Sequence, residues 1–131
     1  MIGLDANVIV RYLAQDDPVQ SMRAAEFLER RLSEDNPGFI STVAMAEIAW
    51  VLKRAYGFSD LDLASAIERL LQIDTLVVDS EKEVWEAAIA LRDGQASFAD
   101  ALICFLGKEA GCSHTVTFDR KALQLPGFAP V

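Results

Sequence analysis

Four carboxylates stand at the ends of apolar strands or within apolar helices. The chain begins MIGLDANVIVRYL, and Asp5 interrupts an apolar run just as a strand should end. Asp119 directly follows the strand-like HTVTF, Glu47 is alone in VAMAEIAWVL, and Asp100 lies in SFADALICFL. A carboxylate beside a core costs free energy unless it is paired, hydrogen-bonded, protonated or bound to a cation. Several together repel, which drives some of them to protonate. A hard divalent cation such as Mg²⁺ or Mn²⁺ removes that conflict, because it takes oxygen ligands and keeps waters in its remaining positions. The chemistry open to such a site is metal-assisted hydrolysis, in which the ion acidifies a bound water.

Each acid also has a plainer explanation. Asp5 suits the N-cap of a helix that continues as ANVIVRYL. Asp100 follows Ser97 by three positions, the spacing of a capping box. Asp119 can open a turn, and Glu47 can belong to a structural ion pair. The joint pattern, two strand-end acids and two acids within apolar helices, carries more weight than any one of them.

The elements that must position these residues alternate. IGL (2–4) reads as a strand, and Asp17-Pro18 starts a helix to about Leu32. SEDNPG is a turn, GFIST a strand ending at Thr42, and 43–56 a helix stopped by Gly57. The near-continuous apolarity of that helix predicts that Glu47 is buried. Ser59 with Asp62 opens a helix to about Ile73, and TLVV (75–78) is a buried strand. Ser80 with Glu83 caps the next helix, which ends near Asp93-Gly94. Ser97 caps a helix to Glu109, HTVTF (114–118) is a strand, and a helical turn and an LPGFAPV tail follow. Short apolar strands alternating with helices predict an α/β fold with one parallel sheet covered on both faces. Open parallel sheets bind ligands at the carboxyl ends of their strands, where Asp5 and Asp119 fall.

The 131 residues suit a single domain, 1–131, with its own core. No apolar stretch is long enough to span a bilayer, and no secretory signal is evident, so a cytoplasmic location is expected. The two cysteines, Cys104 and Cys112, are expected to be reduced, and with the one histidine, His114, they are too few for a zinc site. His114 itself reads as a core or edge residue of its strand. The net charge of −8 argues against a general nucleic-acid binder and is compatible with an acidic cation site or a basic protein partner.

Taken together, MIGLDANVIVRYL, STVAMAEIAWVLKRAYGF, SFADALI and TVTFDRKAL resemble the PIN domain, specifically ribonuclease toxins of the VapC type. The resemblance covers nearly the whole chain and keeps the motif order. It implies a three-layer α/β/α sandwich with a short parallel sheet, and an endoribonuclease dependent on Mg²⁺ or Mn²⁺. It implies an acidic site of Asp5, Glu47, Asp100 and Asp119, with Asp5 and Asp100 as direct ligands and the other two direct or water-mediated. Asn7 and Thr117 match supporting residues that orient the site by hydrogen bonds. Some relatives carry a further acid where this chain has Ser97, which lowers the expected metal occupancy. The resemblance further implies an RNA substrate, a homodimer and a small antitoxin protein that blocks the acidic groove. Arg11, Lys53, Arg54, Arg92, Arg120 and Lys121 are the candidate phosphate contacts, although any one lysine or arginine more often belongs simply to a solvated face.

Three rivals share parts of the pattern. A receiver-type phospho-acceptor switch would use Asp79 after TLVV, but DAN is not an acid pair and no lysine follows a fifth strand. A haloacid-dehalogenase-like phosphatase needs a second Asp where Asn7 stands. A catalytically inactive PIN-like interaction module would keep the fold without the chemistry.

Overall fold

A computed structural model describes residues 1–131. Strand β1 (Ile2–Gly3) passes through Leu4 and Asp5 into helix α1 (Ala6–Ala14). Helix α2 (Pro18–Glu26) begins where the Asp17 carboxylate accepts the backbone N–H groups of Val19 and Gln20, with proline at the first helical position. Its end widens into a π-helical turn, Phe27–Arg31. Then come β2 (Gly38–Ile40), α3 (Thr42–Arg54), α4 (Asp60–Leu71) and β3 (Leu76–Val78). The chain closes with α5 (Glu81–Arg92), α6 (Phe98–Glu109), β4 (Thr115–Thr117), a 3₁₀ turn (Ala122–Gln124) and β5 (Phe128–Pro130).

β2 lies between β1 and β3 in a parallel sheet, with Ile2 opposite Gly38 and Gly38 opposite Leu76. The side chains at Leu4, Ile40 and Val78 point into the core, which Ile9, Met45, Ile48, Leu52 and Ile67 fill without exposure and Leu91 with almost none. Burying each of these large side chains contributes about 1.5–3 kcal/mol, so the core fixes where β1 ends and therefore where Asp5 stands. The helix-rich architecture with short parallel sheets is that of the expected α/β/α fold. No helix is long and apolar enough to cross a membrane.

Several expectations are corrected. The strands do not form one sheet: β4 pairs only with β5, in a second parallel sheet, and no ladder joins β4 to β1. The LPGFAPV tail supplies β5, which its glycine and prolines disguise as a loop. β2 stops at Ile40 because Ser41 is the N-cap of α3, its hydroxyl accepting from the Ala44 N–H. Ser80 makes no side-chain cap; it stands at φ 53° in the left-handed region, while Glu83 is buried. Val77, in the strand expected to be buried, is 41% exposed because it points away from the core-facing side. His114 is exposed, with a ring nitrogen 2.9 Å from the Ser113 hydroxyl.

Glu47 is exposed rather than buried. The buried stripe of α3 is Ala44, Met45, Ile48, Ala49 and Leu52. At 100° per residue Glu47 falls on the opposite side, with Val43 and Trp50, themselves 77% and 62% exposed. Apolar residues on the outer face hid the helix's amphipathicity.

Candidate functional site

Asp5 occupies the N-cap position of α1 in extended conformation, yet its side chain makes no cap hydrogen bond. It is exposed at the carboxyl end of β1 with no hydrogen-bond or ion-pair partner, so capping does not account for it. It lines an open groove of about 700 Å³ between the β1–α1 junction and α2. Asn7 lines the same groove.

Three arginines and one further acid, Glu26, also line the groove. Arg11 of α1 and Arg23 and Arg31 of α2 and its π turn face it, with Gln20. Arg11 is locked in place: its guanidinium donates to both Asp16 carboxylate oxygens at 3.0 Å, to the Tyr56 hydroxyl at 2.8 Å and to Gln20 Oε1 at 2.8 Å. The Tyr56 hydroxyl in turn donates to Asp16 Oδ2 at 2.8 Å. That network shifts all three groups. The Tyr56 hydrogen bond, then Arg11, holds the Asp16 carboxyl below its usual range. The bond to Asp16, aided by burial, raises the Tyr56 phenol, and the bond to Asp16 likewise raises the Arg11 guanidinium. Arg31 lies over the Phe27 ring, 6.0 Å from its centroid.

The other acids are distributed over separate elements. Asp100 lies half-buried in the first turn of α6, where the Ser97 hydroxyl accepts its N–H at 3.2 Å. Ser97 is therefore a helix cap, and the Asp100 carboxylate remains without a hydrogen-bond or ion-pair partner. Glu47 has none either. Asp119 follows β4 and uses Oδ1 to accept the Lys121 N–H at 2.8 Å, which is its turn-forming role. Thr117 supports it through the backbone, its hydroxyl accepting the Asp119 N–H at 3.0 Å. The structure thus brings Asp5, Asn7 and Arg11 together, and Thr117 to Asp119. It gathers no three carboxylate, imidazole or thiol groups around a common point that could hold a metal ion. No three of the acids enclose one ion, so a divalent cation at Asp5 would keep most of its ligands as water or substrate oxygens. Asp119 belongs to the β4–β5 unit, which shares no ladder with β1.

Among the candidate phosphate contacts, Lys53 is paired with Asp60 at 2.7 Å and Arg92 with Glu68 at 3.0 Å, so both are engaged elsewhere. Arg54 lies over the Trp50 ring, 5.7 Å from its centroid. Arg120 and Lys121 are exposed and make no ion pair. Arg23 and Arg31 escaped the sequence reading. Their signal was the spacing of Gln20, Arg23, Phe27 and Arg31, three or four apart, which puts them on one side of a helix.

The comparisons with known proteins bear on what this combination of strand-end carboxylate, arginine-lined groove and short parallel sheets belongs to. No curated protein matches the chain, but the family model described as PIN domain matches residues 2–127. Nearly the whole chain is covered, from β1 to the edge of β5, and that family is generally one of nucleases. The chain belongs to the PIN domain family.

Proposed function

We propose that the protein is a divalent-metal-dependent endoribonuclease of the VapC type, a toxin that hydrolyses phosphodiester bonds in RNA and is neutralised by a cognate antitoxin. The observation that carries this reading is Asp5: an exposed carboxylate at a parallel strand's carboxyl end, without an internal partner, facing a groove lined by arginines. Asp100 and Glu47, also unpartnered, and Asp119, with one oxygen engaged, are the further acids of the proposed site. In the groove the arginines bind and orient a phosphate and offset its charge, and Asn7 orients groups at Asp5. Dependence on Mg²⁺ or Mn²⁺ belongs to this reading as a property to be measured. A homodimer and an antitoxin are its partners. Val43 and Trp50 on α3, with Ile103 on α6 and Phe118 after β4, expose apolar surface of the kind that partners cover.

The separation of the acids favours one other reading, an inactive PIN-like module kept for binding. One assay divides the two. Purified protein is expected to cut RNA only when Mg²⁺ or Mn²⁺ is supplied. Asp5→Asn is expected to lower the rate by at least about 100-fold with an unchanged melting curve, since the Asp5 side chain makes no bond within the fold. Full activity in excess chelator, or in Asp5→Asn, refutes the metal-dependent mechanism. No cutting by the wild type with either ion supports the binding module.

A further inference from the structure

We infer that the groove between α1 and α2 is a nucleic-acid backbone subsite, in which Arg11, Arg23 and Arg31 bind phosphates of the strand that flanks Asp5; this rests on the ribonuclease reading and names where its substrate lies. The first argument is charge. The chain carries 20 acidic and 12 basic residues, yet three arginines and only two acids, Asp5 and Glu26, line this groove. With Asp16, which pairs Arg11, the groove is close to neutral where the whole chain carries −8, and its two unpaired arginines make it the place where a polyanion meets least repulsion.

The second argument is preorganisation. Arg11 is held by Asp16, Tyr56 and Gln20 from three different segments, through one Nε bond and bonds from a single terminal nitrogen, Nη1. Its Nη2 makes no hydrogen bond within the protein, so a donor is left in a fixed position for a groove ligand. Neither Arg23 nor Arg31 has an ion-pair partner, and Arg31 is supported on the Phe27 ring, which also lines the groove. Guanidinium groups already positioned lose little freedom on binding phosphate oxygens. Arg11 shares its charge with Asp16 as Lys53 does with Asp60 and Arg92 with Glu68, but of the three only Arg11 lines this groove, beside two arginines without ion-pair partners. Arginines without base-reading pockets fix the register of a strand and carry no sequence information.

The test separates binding from cleavage. A fluorescein-labelled short single-stranded RNA is titrated in excess EDTA, with anisotropy read across a series of salt concentrations. Each neutralised phosphate of a single strand contributes about −0.7 to the slope of log affinity against log salt. The double variant Arg23→Gln/Arg31→Gln is therefore expected to bind severalfold more weakly, for every RNA sequence alike, with a slope about 1.4 shallower. Arg69→Gln/Lys82→Gln makes the same change in net charge outside the groove and is expected to keep the wild-type slope. The inference is overturned if the groove variant binds like the wild type, or if the control loses as much. It is also overturned if an acidic peptide of equal charge displaces the RNA from the wild type at lower concentration than unlabelled RNA does, which would make the groove a protein-docking site. Wild type that binds with the expected slope but fails to cut when Mg²⁺ or Mn²⁺ is supplied would sink the nuclease reading and leave the subsite standing. Metal-dependent cutting with an unaltered slope in the groove variant would do the reverse.

Discussion

Gly38 is where the smallest change should disturb the floor of the site. It lies in the middle strand, opposite Ile2 on one side and Leu76 on the other. A Cβ there would stand 2.7 Å from Leu4 Cδ1, 2.9 Å from Leu32 Cδ1 and 3.1 Å from Leu76 Cδ2. Ordinary contact begins near 3.4 Å, so all three leucines must give at once, and Leu4 and Leu32 are buried. Overpacking of this kind costs about 1–3 kcal/mol. Gly→Ala recovers about 0.4–1 kcal/mol by restricting the unfolded chain. The net expectation for Gly38→Ala is a loss of about 1–2 kcal/mol, or about 5 °C in melting temperature for a domain of this size. Urea unfolding measures it as a lower midpoint at unchanged slope. The double variant Gly38→Ala/Leu4→Val has no Leu4 Cδ1 to meet the new methyl, so the two substitutions should be less damaging together than their sum, by about 0.5–1 kcal/mol. Gly38→Ala as stable as wild type would refute the packing argument. Strict additivity would place the strain away from Leu4, and with it any route from β2 to Asp5.

The Arg11 network should mark both limbs of the pH–stability curve. Asp16 has a folded-state carboxyl below its ordinary 3.8, so its contribution is present above that value and is lost as pH falls through the lower folded one. The Tyr56 phenol lies above its ordinary 10.0, so its contribution is present below that value and is lost as pH rises through the higher one. Asp16→Asn should flatten the acid limb and Tyr56→Phe the alkaline limb, as read by denaturation across pH; an unchanged profile in both would show that the network has no energetic weight. The cysteines make a separate test. Cys104 is 4% exposed, its thiol is pushed up by burial against the opposing pull of Lys108, and it lies 3.9 Å from the Pro126 carbonyl oxygen. Iodoacetamide at mildly alkaline pH should therefore modify exposed Cys112 while sparing Cys104. Equal rates would mean that the β4–β5 unit does not stay packed on α6.

Much of the fold was legible because its signals are local. Asp17-Pro18, Ser59 and Ser97 announce helix starts, and each side chain makes its cap bond. Gly57 and Gly94, at φ 67° and 73°, mark the turns after α3 and α5. What was not legible depends on partners distant in sequence. Whether β4 bonds to β1 or to β5 is decided by how the C-terminal segment packs on α6, and nothing within HTVTF encodes the choice. Ser80 resembles its fellow caps in type and spacing, but its left-handed backbone removes the geometry a cap requires.

The site divides along the same line. Asp5 was recognisable because a strand end and a helix start meet within two residues of it, so position follows from local chain direction alone. Glu47 was misplaced because the pattern of α3 reports burial only when its outer face is polar, and here that face carries Val43 and Trp50. Those same residues give the error a use. An apolar outer face around an unpartnered carboxylate is costly to leave in water and makes sense where something covers it. The arginine lining was overlooked for the opposite reason: Arg23 and Arg31 look like any solvated pair in SMRAAEFLERRL until the packing of α2 on α1 turns them toward the groove. Net charge averages over such arrangements. A chain of −8 can still present arginines to a phosphate when most of its acids lie on other surfaces, and so the composition that argued against nucleic acid is no obstacle to an RNA substrate in this groove.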